Sequence, residues 1–208
     1  MKKSLLNRDN IETLDCKSFK QSPCCENVKI EDCDLSESEF EDLSLDKALL
    51  SGVVLNQSKI SDFEVTDSCI EKCSFAGVET EKSYFLRTEF KSSRLQGVQL
   101  SQSRMSNVIF IASKLNDANI RYSKLKNVVF DSCDMSGLDF IGAELENVSF
   151  VKCNLSGANF SQATLKNTDL AGSTIENIII NVESVKEVFV DTGQALYLSS
   201  VFGLKVRD

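Results

Sequence analysis

From Ile30 to Ile180 every fifth residue is large and apolar, and Thr80 is the single exception. The series opens Ile30, Leu35, Phe40, Leu45, Leu50, Leu55 and closes Leu170, Ile175, Ile180. Two residues ahead of each member stands a second set, from Val28, Cys33, Ser38, Leu43 and Ala48 to Ile178. It is drawn only from Ala, Ser, Thr, Cys, Val, Leu, Ile and Phe. A five-residue period matches neither the roughly 3.6 of a helix nor the two-residue alternation of a free strand. Unbroken repetition at a short fixed period marks a solenoid, in which each turn packs only against its neighbours.

Two inward residues in each five leave one short side and one corner per unit. A corner two places after the large residue calls for φ > 0, as in the third position of a type II turn. Those places hold Gly52, Gly77, Gly97, Gly137, Gly142, Gly157 and Gly172, together with Asn107, Asn127, Asn147, Asn167 and Asn177. The number of sides follows from recurrence at twenty residues. Asn107, Asn127, Asn147 and Asn167 recur at that distance, as do Phe90, Phe110, Phe130 and Phe150. Cys33, Cys73, Cys133 and Cys153 are separated by multiples of it. The expectation is a four-sided coil of twenty residues with identical side chains stacked in columns. Residues 28–185 then make about 7.5 coils at roughly 4.8 Å each, a rod on the order of 36 Å long.

The units Ala158-Asn159-Phe160-Ser161-Gln162, Cys153-Asn154-Leu155-Ser156-Gly157 and Cys133-Asp134-Met135-Ser136-Gly137 carry a small residue, Asn or Asp, a large apolar residue and polar positions. In this they resemble the pentapeptide-repeat family. The resemblance implies an all-β fold, a right-handed quadrilateral parallel β-helix of about 7–8 coils closed by a C-terminal capping α-helix.

Three segments are expected. Residues 1–27 read as an irregular N-terminal lead-in: the first ten are polar and loose, and Ile11, Leu14 and Phe19 stand out of register with the repeat. The register resets around Pro23, Cys24 and Cys25. Residues 28–185 are the solenoid. Residues 186–208 form a cap and dimerisation segment. There Asp191 and Gln194 read as a capping box, predicting a helix from Thr192 to Phe202 that stops at Gly203. On that helix Ala195, Leu198 and Phe202 share a face that can cover the end of the rod. Tyr197, Val201 and Leu204 lie opposite, and apolar residues on both faces suggest a second copy of the chain. The tail from Gln194 to Val206 is similar to the C-terminal helix of the Qnr-type, gyrase-interacting branch of the family. That likeness implies a homodimer and a DNA mimic that binds DNA gyrase or topoisomerase IV and modulates quinolone sensitivity. The alternative is a structural scaffold or protein-interaction module with no topoisomerase contact.

Charge is banded along the sequence. Residues 26–82 hold fifteen Asp or Glu against five Lys or Arg, residues 83–127 two against eight, and residues 128–208 eleven against five. The first band carries about one net charge per 1.4 Å of rod, near the roughly 1.7 Å of duplex DNA. Its candidate surface is Asp32, Asp34, Glu37, Glu39, Glu41 and Asp42. The basic band is Arg87, Lys91, Arg94, Arg104, Lys114, Arg121, Lys124 and Lys126, read first as a solvated surface offsetting the acids. Ile109, Ile111, Val129 and Val151 form a possible contact patch beside the phenylalanine column.

The sequence contains no histidine, which excludes Ser–His–Asp and Cys–His catalysis and histidine metal sites. No catalytic, cofactor-binding or metal-binding residue is assigned, and no enzyme activity is expected. Cys33, Cys73, Cys133 and Cys153 read as buried packing thiols, with Cys24, Cys25 and Cys69 the more exposed. Eight cysteines without a secretory signal point to reduced thiols in a cytoplasm. Neither a membrane span nor direct nucleic-acid binding by a chain of net charge −8 is expected.

Overall fold

The computed structural model describes Leu6, residues 11–80 and residues 82–207. The loose, polar character expected of the first ten residues therefore lies, Leu6 apart, outside the described residues. The chain begins with strand β1 (Glu12–Thr13), helix α1 (Cys16–Gln21) and strands β2 (Cys24–Glu26), β3 (Val28–Glu31), β4 (Glu39–Asp46), β5 (Leu49–Ser51) and β6 (Lys59–Thr66). It ends with helix α2 (Thr192–Val201).

The strands stack in parallel into two sheets. One is ten-stranded, starting at β1, β3 and β5 and ending at Val188–Phe189. The other runs from β2 and β4 to Thr164–Lys166. Two columns of single parallel bridges supply the remaining sides, such as Arg94–Lys114–Asp134 and Gln99–Asn119–Asp139. From β3 onward residue i pairs with i + 20 along all four columns, as in Phe90–Phe110–Phe130–Phe150, so the coil is a four-sided unit of twenty residues. The fold is a parallel β-solenoid. Ten stacked strands give nine steps, or roughly 43 Å at about 4.8 Å per step, longer than the repeat region predicts because both flanking segments join the stack.

The inward residues carry the stability. From Ile30 through Leu170 the large positions are almost wholly buried. The rings of Phe90, Phe110, Phe130 and Phe150 stack at 4.7, 4.9 and 5.2 Å, within 10° of parallel. Serine suits the small inward positions because its hydroxyl bridges coils: Ser123 Oγ accepts the Ser103 N–H at 2.9 Å and donates to the Leu100 carbonyl at 2.9 Å. A buried backbone N–H is thereby satisfied without widening the column.

The glycines and asparagines at the expected corners all have positive φ. Most other corners do too, including Ala112 and Tyr122, but Asp42 and Asp62 do not. There β4 and β6 run straight through the corner for eight residues each. The small inward places just after these corners hold Leu43 and Phe63, both buried. Phe63 accounts for Thr80. Its ring lies 6.2 Å from Phe75 and 5.3 Å from Phe85, which flank position 80 along the chain. The space a large residue 80 would fill is taken, and Thr80 instead hydrogen-bonds Ser83 at 2.9 Å between hydroxyls.

The lead-in is ordered rather than irregular where it is described. β2 already follows the twenty-residue register, Cys25 opposite Leu45, so the stack begins before residue 28. β1 pairs with β3 at a shorter spacing, Glu12 opposite Val28, and α1 fills the shortened turn. Asp15 caps α1 by accepting the N–H groups of Lys17 and Ser18, each at 3.0 Å, and Phe19 is fully buried 6.5 Å from the Phe40 ring. One isolated apolar residue at the right place in a short helix leaves no periodic trace, which is why the five-residue pattern does not reveal it.

Candidate interaction surface

All six candidate acids, Asp32, Asp34, Glu37, Glu39, Glu41 and Asp42, are exposed on the first full coil. Among the described residues, none of the six lies within ion-pair distance of a Lys or Arg. The Ser36 hydroxyl and N–H bond to Asp34 at 2.6 and 3.0 Å and hold its carboxyl below the usual range. Asp42 stands directly opposite Asp62 on the next coil, so the field continues along the rod.

The basic band is spread around the rod rather than gathered. Lys91 is on the ten-stranded sheet, Arg104, Lys124 and Lys126 on the other, and Arg94 and Lys114 on a bridge column. Five of its eight members are paired: Arg87 with Asp67, Lys91 with Glu89, Arg121 with Asp139, Lys124 with Glu144 and Lys126 with Glu146. The Arg87 pair is bidentate and Asp67 is buried, so the arginine supplies a charge-assisted contact to a carboxylate shielded from water. Most of the band's charge is thus taken up by nearby carboxylates.

Ile109 and Val129 are directly adjacent in register, whereas Ile111 and Val151 are separated by Asp131. Val151 is exposed and the other three are half-buried by their neighbours, so the four form a narrow, interrupted strip. Exposed large apolar residues concentrate instead at the C-terminal end: Ile179, Val182, Phe189, Leu196, Val201, Leu204 and Val206.

Helix α2 has the expected capping box, with Gln194 N–H on Asp191 at 2.9 Å and Asp191 N–H on Gln194 Oε1 at 3.0 Å, and Gly203 has φ +78°. Its rotation differs from the helical-wheel reading. Gln194 is buried, and its Nε2 donates to the Leu170 and Ser173 carbonyls at 2.6 and 2.7 Å. The last coil has carbonyls with no coil above them, and a side-chain donor there is worth more than a methyl group. Leu198 is buried and Phe202 half-buried, but Ala195 is exposed. Tyr197 turns toward the rod, half-buried, and its hydroxyl accepts the Asn177 N–H at 2.7 Å. Val201 and Leu204 do face outward, and with them Leu196, 56% exposed, which the wheel reading omits.

The cysteines divide differently as well. Cys33 is joined to Cys16 in a disulfide with Cα atoms 5.5 Å apart, so it is not a free packing thiol. Cys73, Cys133 and Cys153 are buried thiols. Burial pushes Cys73 up to about 12, and a hydrogen bond with Cys153, followed by burial, pushes Cys133 up as well. Cys69 is buried, contrary to its outward register, while Cys24 is exposed. No helix among the described residues is long and apolar enough to cross a membrane.

The family model for the pentapeptide repeat region matches residues 103–180, and the same five-residue register continues unbroken back to residue 28. Residues 103–180 are a pentapeptide repeat region. A search of curated proteins finds no significant match. Among solved structures, this chain is similar to QnrB1, a plasmid-mediated fluoroquinolone resistance protein. One trypsin-treated form of QnrB1 is 20% identical, over 98% of this chain and 95% of that one, with a TM-score of 0.48. HetL, involved in heterocyst differentiation regulation in the cyanobacterium Nostoc, is 14% identical over 85% and 94%, with a TM-score of 0.34. A pentapeptide-repeat protein of the Arabidopsis thaliana thylakoid lumen is 21% identical over 51% and 78%, with a TM-score of 0.38.

Proposed function

We propose that this protein acts by binding and not by catalysis, and that its acidic N-terminal coils compete with DNA for the basic groove of a cytoplasmic type II topoisomerase. The observation that carries the reading is the set of six exposed carboxylates on one coil, none within ion-pair distance of a Lys or Arg among the described residues, continued by Asp62 on the next. The objection from sequence, a basic band that would cancel this field, loses force because five of its eight members are already paired. Exposed carboxylates in an array dense enough to approach duplex DNA attract a basic groove at long range and lose that attraction as salt screens them.

A homodimer through the outer face of α2 belongs to the same proposal, with Leu196, Val201 and Leu204 as its contacts, since these are exposed apolar residues on one short helix and its tail. Tyr197, turned inward, supports the helix rather than the interface.

The test is a DNA gyrase supercoiling assay with the purified protein at increasing salt. The wild type should inhibit, less so as salt rises. The variant with Asp32, Asp34 and Asp42 changed to Asn and Glu37, Glu39 and Glu41 changed to Gln should fold normally and lose the effect. Wild-type protein that leaves supercoiling unchanged at low salt removes the reading. The competing scaffold reading draws on the adjacent Ile109 and Val129; it expects no gyrase effect and partner binding that is lost in Ile109→Lys.

A further inference from the structure

Among the described residues, the N-terminal cap is held by few contacts of its own. Helix α1 has six residues, about half of what a helix needs to persist alone in water. Strand β1 contributes two residues, tied to the first coil by Glu12 N–H on Asn27 at 3.2 Å and Leu14 N–H on Lys29 at 2.8 Å. Phe19 is the one fully buried side chain of α1. Against this stands one covalent link. Cys16, the first residue of α1, is bonded to Cys33, an inward residue of the first coil whose neighbours Asp32 and Asp34 are exposed. Disulfides of this kind persist in oxidising compartments and are reduced in a thiol-buffered cytoplasm.

We infer that the Cys16–Cys33 disulfide is a redox latch on the N-terminal cap: oxidised, it clamps α1 over the floor of the first coil, and reduced, it lets α1 lift away. The step is a two-electron exchange with a dithiol. The dithiol gives up two electrons and two protons and becomes a disulfide, the Cys16–Cys33 bond breaks, and each sulfur leaves as a protonated thiol. Lifting α1 withdraws Phe19 from Phe40 and frees the outer edge of β3, where β1 was paired. An unpaired strand edge beside apolar side chains is a site for association. The compartment would therefore set the state of this end of the rod. The inference does not depend on what the rod binds.

Lys17 and Lys20 are exposed on α1 and give trypsin a direct readout of the cap. Air-oxidised protein should carry the Cys16–Cys33 link by peptide mapping and resist cleavage at both lysines. Reduction with a phosphine should raise cleavage at these sites at least about tenfold, since local opening controls access, while the far-UV circular dichroism of the solenoid stays unchanged. Cys16→Ser should be cut at the fast rate with or without reductant. The measurement is made in a Cys24→Ser, Cys25→Ser background so that neither of these thiols can exchange into the link. Equal cleavage rates in the oxidised and reduced protein would overturn the latch, as would slow cleavage of Cys16→Ser. Failure of the link to form in air, or loss of the solenoid spectrum on reduction, would overturn it too.

Discussion

Leu100 sits mid-rod with 2% of its surface exposed, and its carbonyl accepts the Ser123 hydroxyl from the next coil. A carboxylate at this place would have neither water nor a cation, so Leu100→Asp should destabilise the protein by about 4 kcal/mol or more. Thermal melting measures this, and a midpoint within a few degrees of wild type would remove the inward assignment. Residues of this class were legible in the sequence because inward position and chain number are locked together by the five-residue period. What the period could not convey is competition for volume between neighbours. Phe63 at a small position and Thr80 at a large one each read as an irregularity, and only their juxtaposition makes them one event. Burial of Asp67 was also illegible, because its partner Arg87 is twenty residues away and a charged residue at a corner looks like any other exposed one.

The two cap helices share a device. Asp15 at the start of α1 and Asp191 at the start of α2 both have carboxyls pulled below their ordinary range. For Asp15 the cause is chiefly the Ser18 backbone N–H, and for Asp191 the N–H groups of Gln194 and Gly172. A depressed carboxyl pKa contributes stability that is fully present above the unfolded value and is lost as pH falls through the folded one. Both caps should therefore loosen below about pH 4, before the stacked apolar interior of the rod. Hydrogen exchange at pH 3 against pH 7 would locate the change in residues 15–21 and 192–201, and uniform loosening along the chain would refute it. The bounds of α2 were legible from Asp191, Gln194 and Gly203. Its rotation was not, because a wheel ranks residues by hydrophobicity while the end of a solenoid presents bare carbonyls and selects Gln194. The dimer test follows from that rotation: Leu196→Glu with Val201→Glu should leave melting unchanged and give monomers in sedimentation, and a wild-type monomer at micromolar concentration ends the dimer proposal.

As a whole molecule the rod is a sum of nearest-neighbour steps, each made of the same twenty-residue pairings and the same stacked columns. Its charge bands are properties of successive coils, and they can be changed coil by coil without disturbing the stack. The step also gives the chain a reading frame. Removing residues 113–132 takes out one complete circuit and joins Ala112 to Cys133, which occupies the same place as Ser113 one coil on. That shortened chain should fold, with a rod shorter by about 4.8 Å in small-angle scattering. Losing one residue from the same region should fail, because every inward side chain beyond it would be carried round to the wrong place. Length in such a chain is quantised. Insertions and deletions in its relatives should then fall in whole circuits, or else in excursions at a corner that return the chain to the same phase.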